Sequence, residues 1–172
     1  MRAAALFLTL SANIALQSTL FTYIEIIGIK PNTALLIVVS YAILRGDAEG
    51  AAAGFFAGLL QDLFFGGIIG MNALLYMIIG YAAGKPFRDY FHESSFFPLI
   101  LGSVCTLSYG IAFYFLNFLF RGKLDFLYYF RRIIMPETVY TVVLAIPAYR
   151  LTYAVNGLLL RRERRGRLIF KE

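Results

Sequence analysis

The sequence predicts an all-α polytopic membrane protein of about six transmembrane helices. Two observations carry this: 60% of the 172 residues are hydrophobic, and several apolar runs approach the length of a bilayer crossing. A water-soluble core does not account for so apolar a chain of this size. A third observation sets the organisation. Much of the net charge of +6 lies in one C-terminal cluster beside a hydrophobic segment, which suits membrane orientation better than nucleic-acid binding. Residues 1–160 read as a six-helix transmembrane domain and 161–172 as a basic cytoplasmic tail.

Arg2 precedes the first run, Ala3 to about Ile24, too long for the core of a secretory signal and therefore retained as the first span. Asn13 and Gln17 stand four apart, so both amides lie on one face and point at other helices rather than lipid. Interhelical hydrogen bonding, worth about 1 kcal/mol, and ligand contact are the two readings. Glu25 to Lys30 forms a polar turn, and Pro31, Asn32 and Thr33 suit the start of a second helix reaching about Leu44. Its roughly 14 residues cover only about 21 Å of a 30 Å hydrocarbon layer, and the third and fourth runs are little longer. These middle segments extend into flanking small residues, thin the bilayer, or form a re-entrant pair.

Gly46, Gly50, Gly54 and Gly58 recur every fourth residue, laying bare backbone along one helix face where another backbone can approach. Packing within the subunit and docking of a separate helix both fit that face. One turn further come Gln61 and Asp62, then a Gly66-Gly67…Gly70 break, then an apolar run carrying Asn72 and ending at Gly80-Tyr-Ala-Ala-Gly84. This predicts a helical hairpin with polar groups near its bend. The fourth helix ends at about Gly84, and Lys85 to Asp89 is a charged loop in which Pro86 acts as the helix stop. The fifth run, Phe96 to about Phe120, is long enough to cross. Arg121 to Arg132 mixes charge with aromatics, fitting either an interfacial segment or a solvated loop. The sixth run begins near Ile133, tolerates Pro136 in its first turn, and meets Pro147, a kink position, near its far end.

The chain shows no pattern of a catalytic centre: no Walker loop, no HExxH and no G-x-S-x-G. No metal or cofactor site is read. Cys105 has no second thiol to pair with, and His92 stands in a charged loop without companions at ligand spacing. The acids in or near apolar runs are Glu25, Asp62 and Glu137. A carboxylate near the membrane costs a few kcal/mol unless it meets a partner, water or a helix end. For Asp62 the readings are acceptance of bonds from the first amides of the fourth helix, or a buried polar pocket or partner contact.

With six crossings and the tail inside, eleven of the sixteen basic residues fall on the cytoplasmic side and five outside, which predicts both termini in the cytoplasm. The tail also has the composition to bind anionic lipid or a cytosolic partner.

The segment G-x-x-x-G-L-L-Q-D-L-F, followed by G-x-x-G-M-N-A-L-x-Y and G-Y-x-x-G, resembles the rod shape-determining protein MreD family of the bacterial inner membrane. Its residues map here onto Gly54, Gly58, Asp62, Gly70, Asn72, Ala73, Leu74, Gly80, Tyr81 and Gly84. The resemblance implies a non-catalytic, multi-pass scaffold subunit of the cell-elongation machinery. Such a subunit binds the single-span protein MreC and, through it, MreB filaments and the lateral-wall peptidoglycan synthases. It also implies a fold similar to the substrate-binding components of energy-coupling vitamin transporters. Homo-oligomers are compatible with it, nucleic acid is not implicated, and no cofactor is implied. The alternative is a transporter component binding a vitamin or other small molecule, motivated by that fold similarity and by Asn13, Gln17, Asp62 and Asn72.

Overall fold

The structure, a computed structural model, describes residues 2–23, 31–65, 68–85, 97–121 and 126–169. All regular elements among them are helical: α1 (Arg2–Tyr23), α2 (Thr33–Arg45), α3 (Asp47–Phe65), α4 (Met71–Gly84), α5 (Phe97–Arg121), the single turn α6 (Phe126–Tyr129), a π-helical segment (Phe130–Ile134) and α7 (Met135–Ile169). The turn Glu25–Lys30, the Gly66-Gly67 break, most of the loop after Lys85, and His92 lie outside the described residues.

Helix α2 is the axis of the bundle. Asn32 caps it, its side chain accepting from Leu35 N at 3.1 Å, and Gly46 ends it with φ 98° and ψ −178°, a backbone region open to glycine. Every residue from Thr33 to Ile43 is buried, and α3, α4, α5 and α7 all pack around it. Thirteen residues make only about 20 Å of helix. Neighbouring helices cover this short segment on every side, so its apolar residues face protein. Leu35, Val38, Val39 and Ala42 pack there against Tyr76, and α5 adds Cys105 and Tyr109.

Helix α3 starts immediately after Gly46. Gly50 N donates to Gly46 O at 2.9 Å, and Asp47 and Glu49 occupy the first turn, where negative charge suits the helix dipole. Helix α4 returns antiparallel along α3 in the most intimate pairing of the molecule. A Cβ on Gly54 would overlap the Tyr76 carbonyl, one on Gly58 the Asn72 carbonyl, and one on Gly84 the Asp47 backbone nitrogen. One on Gly50 would stand 2.6 Å from Gly80 O. The register therefore steps by four residues on both helices, and only hydrogen side chains let the two backbones approach this far.

Helix α5 contains the stretch Pro98–Phe118, which is long and apolar enough to cross a bilayer. It closes on the π-helical segment at Gly110, where an added Cβ would lie 3.0 Å from Ile134 Cγ2. No local sequence pattern marks that segment, which falls partly within the stretch read as an interfacial segment or loop. Its wider turn precedes α7, whose inward face carries Thr138, Thr141, Ala145 and Thr152, all buried. Buried hydroxyls bond their own helices: Ser40 to Leu36 O at 2.7 Å, Thr106 to Gly102 O at 2.8 Å and Thr138 to Ile134 O at 2.7 Å. This satisfies the donors locally in apolar surroundings. Pro136 sits in the first turn of α7, and the helix continues through Pro147 to Ile169.

Candidate functional site: a buried polar chain at one end of the bundle

The C-terminal end of α3 and the N-terminal ends of α2, α4 and α7 meet at one end of the bundle, and there the polar residues of the core connect. Asp62 follows Gly58 by four residues and so continues the glycine face of α3 by one turn. It is 2% exposed and meets the start of α4. Gly70, the α4 N-cap, is left-handed with φ 95° and supplies no side chain of its own. The Asp62 carboxylate takes that capping role from a neighbouring helix. It accepts from Gly70 N at 2.8 Å, Asn72 N at 3.3 Å, Ala73 N at 3.3 Å and Asn72 Nδ2 at 2.8 Å. Three otherwise orphaned amides are satisfied, and the positive end of the α4 dipole faces a carboxylate.

Asn72 passes the chain inward: its Oδ1 accepts from the Tyr109 hydroxyl at 2.7 Å. The Tyr109 and Tyr76 rings lie 5.2 Å apart, and their hydroxyls adjoin. The Tyr76 hydroxyl donates to Asn32 Oδ1 at 2.8 Å, the same oxygen that caps α2. Asn32 N donates to Thr141 Oγ1 on α7 at 3.1 Å, and the Asn32 side chain lies beside Glu137. Next along α2, Thr33 Oγ1 accepts from Gln17 Nε2 on α1 at 2.8 Å. One polar chain thus touches α1, α2, α3, α4, α5 and α7.

The structure brings Gln17, Asp62, Asn72 and Glu137 to this end of the bundle. Asn13 and Gln17 are both buried on α1, but Asn13 Nδ2 has no hydrogen-bond partner, and neither has the buried Gln61 Oε1 on α3. Gly50 faces Gly80 across the α3–α4 seam, Gly54 and Gly58 face the backbone of Tyr76 and Asn72, and Gly84 faces Asp47 and Gly46 at the α2–α3 corner. That face is filled from within the chain.

Sequence reasoning missed Asn32 beyond its place at a helix start, and it missed Tyr76, Tyr109 and Thr141. A cue existed for Tyr76, which stands four residues after Asn72 and therefore on the same face. None existed for Tyr109, one of twelve tyrosines.

The chemistry of the chain is cohesive. The Asp62 carboxylate is spent on the start of α4 and on Asn72, and the Tyr109 and Tyr76 hydroxyls on Asn72 and Asn32; among the described residues no group of three or more His, Cys, Asp or Glu gathers at metal-binding distance. This is an all-helical protein whose buried polar groups fasten helices together. The family comparison accords with this: the model of the rod shape-determining protein MreD matches residues 2–155, and the chain belongs to that family. The family consists of membrane proteins and acts in determining rod shape. Neither a curated protein nor a solved structure matches the chain.

Proposed function

We propose that this chain is a non-catalytic scaffold of the bacterial inner membrane that binds MreC and thereby helps to control lateral peptidoglycan synthesis, with MreB and the synthases as indirect partners. Membership of the MreD family supports the setting. The observation that carries the scaffold reading is the fate of Asp62, a carboxylate 2% exposed, which accepts four hydrogen bonds from the start of the next helix. A group so fully engaged holds structure rather than turning over a substrate.

The α3 glycine face is occupied by α4, so the MreC span docks on an outward face instead. The outer sides of α3 and α4 offer Phe55, Phe56, Leu63, Leu74 and Ile78, all exposed. Six crossings with both termini cytoplasmic remain the topology that the distribution of basic residues favours. Co-purification from membranes tests the proposal: MreC is recovered with the wild-type chain. A folded chain that never retains MreC sinks it.

A second reading, a small-molecule-binding component similar to those of vitamin transporters, draws support from Asn13 Nδ2 and Gln61 Oε1. These are a buried donor and a buried acceptor without partners, on two helices that touch, and such atoms cost stability unless something completes them. A stoichiometric metabolite in native mass spectrometry would favour it.

A further inference from the structure

The π-helical segment brings two adjacent arginines to the surface beside an apolar helix. Its height along α5 is fixed by two contacts: an added Cβ on Gly110 would lie 3.0 Å from Ile134 Cγ2, and the Tyr129 and Tyr114 rings lie 5.1 Å apart. Arg131 and Arg132 fall between those contacts. They therefore stand beside residues 111–113, within the stretch Pro98–Phe118 that is long and apolar enough to cross a bilayer. Both are exposed. A π-helical turn holds more residues than an α-helical one, so neighbouring positions diverge less around the axis and the two guanidinium groups emerge close together.

An exposed charge at that depth is unfavourable unless it reaches the phosphate layer. Helical side chains lean toward the helix N-terminus, which here is the end at Phe126, so both arginines extend toward the headgroups. Arg132 shows the direction: its Cζ lies 5.6 Å from the centroid of the Tyr128 ring, one turn nearer that end. Tyr128 is itself exposed, and on the opposite side of the arginines Met135, Val139 and Val143, spaced four apart on one face of α7, are exposed as well. Two cations with an aromatic ring beyond them and an aliphatic strip behind them match the outline of a phospholipid, because guanidinium groups fit phosphate oxygens and the strip fits an acyl chain. We propose that Arg131 and Arg132, steadied by Tyr128, bind the phosphate of an anionic phospholipid whose chain runs along Met135, Val139 and Val143. The site is on α7 and the segment before it, not on α3 or α4, and is independent of whether the chain binds MreC.

The test uses the full chain with Cys105→Ala and Leu127→Cys, a bimane fluorophore on the new cysteine, in bilayers of zwitterionic lipid. Phosphatidylglycerol or phosphatidylcholine carrying a nitroxide near the glycerol is added in increasing proportion. Quenching by contact reports only lipid beside Leu127, so the basic C-terminal tail does not contribute. Phosphatidylglycerol is expected to quench at the lower proportion. Arg131→Gln and Arg132→Gln each weaken that preference about fivefold and together abolish it, while Tyr128→Leu weakens it about twofold. Equal quenching by the two lipids, or a preference unchanged in the folded double variant, overturns the proposal. Should the double variant fail to fold by circular dichroism, the single variants decide, and an unchanged preference in both overturns it equally.

Discussion

Asp62 grips Asn72 twice, accepting from its backbone N–H at 3.3 Å and from its side-chain amide at 2.8 Å. The second contact fixes which way the Asn72 amide points and so presents Oδ1 to Tyr109. A helix cap and the first link of the polar chain are therefore the same interaction.

Replacing Asp62 by Ala strands the amides of Gly70, Asn72 and Ala73 at once. The expected loss is about 3 kcal/mol or more, the range seen when one partner of a buried charged contact is removed. Asp62→Asn, which keeps one acceptor, should cost less. Thermal unfolding in detergent measures both, and hydrogen exchange should quicken first at residues 70–73 in Asp62→Ala.

Tyr109→Phe removes one hydroxyl and leaves Asn72 Oδ1 buried without its donor. A cost of about 1–3 kcal/mol follows. Because Tyr76 and Tyr109 belong to one network, the double variant with Tyr76→Phe should depart from additivity by at least about 0.5 kcal/mol. Additive losses would mean that the two tyrosines act separately.

Three glycines in different settings make a graded prediction. Gly54→Ala drives a methyl into the Tyr76 carbonyl, and overpacking against backbone costs about 1–3 kcal/mol or more. Gly70→Ala meets no atoms but must hold φ +95°, for about 1–2 kcal/mol. Gly157→Ala has open space around it and should stay within about 0.5 kcal/mol. The melting temperatures should fall in that order.

Cys105 is the single cysteine of the chain and is buried, so a maleimide should leave the folded wild type unlabelled. In a Cys105→Ala background, Ala3→Cys and Leu168→Cys report the two ends of the described chain. Both should react from the cytoplasmic side of sealed vesicles. Reaction from opposite sides would overturn the even number of crossings.

The α3–α4 hairpin was legible because its information is local. Glycines four apart specify a face, and Asp62 four residues further on shares it. The helical class was legible for the same reason, since the length of an apolar run is read within one short window. The rest of the site was not, because its links join residues far apart in sequence: Asn32 reaches Tyr76 across 44 positions and Thr141 across 109. Nothing near Asn32 distinguishes a capping asparagine from one that also receives a tyrosine and faces a glutamate. The length rule leaves α2 open because it assumes that an apolar segment faces lipid, whereas this one is enclosed by protein from Thr33 to Ile43. The π-helical segment packs at Ile134 against Gly110, 24 positions earlier, a tertiary contact that no local pattern encodes.

The enclosure of α2 also bears on biogenesis. A nascent chain that has emerged only as far as Arg45 carries a helix too short to settle in a bilayer unaided, and the elements that wrap it have yet to be translated. Stable insertion of this segment must therefore await the arrival of α3 and α4 and, for its remaining sides, α5 and α7. Truncations ending between α2 and α4 should accordingly be cleared by quality-control proteolysis rather than accumulate as partial bundles.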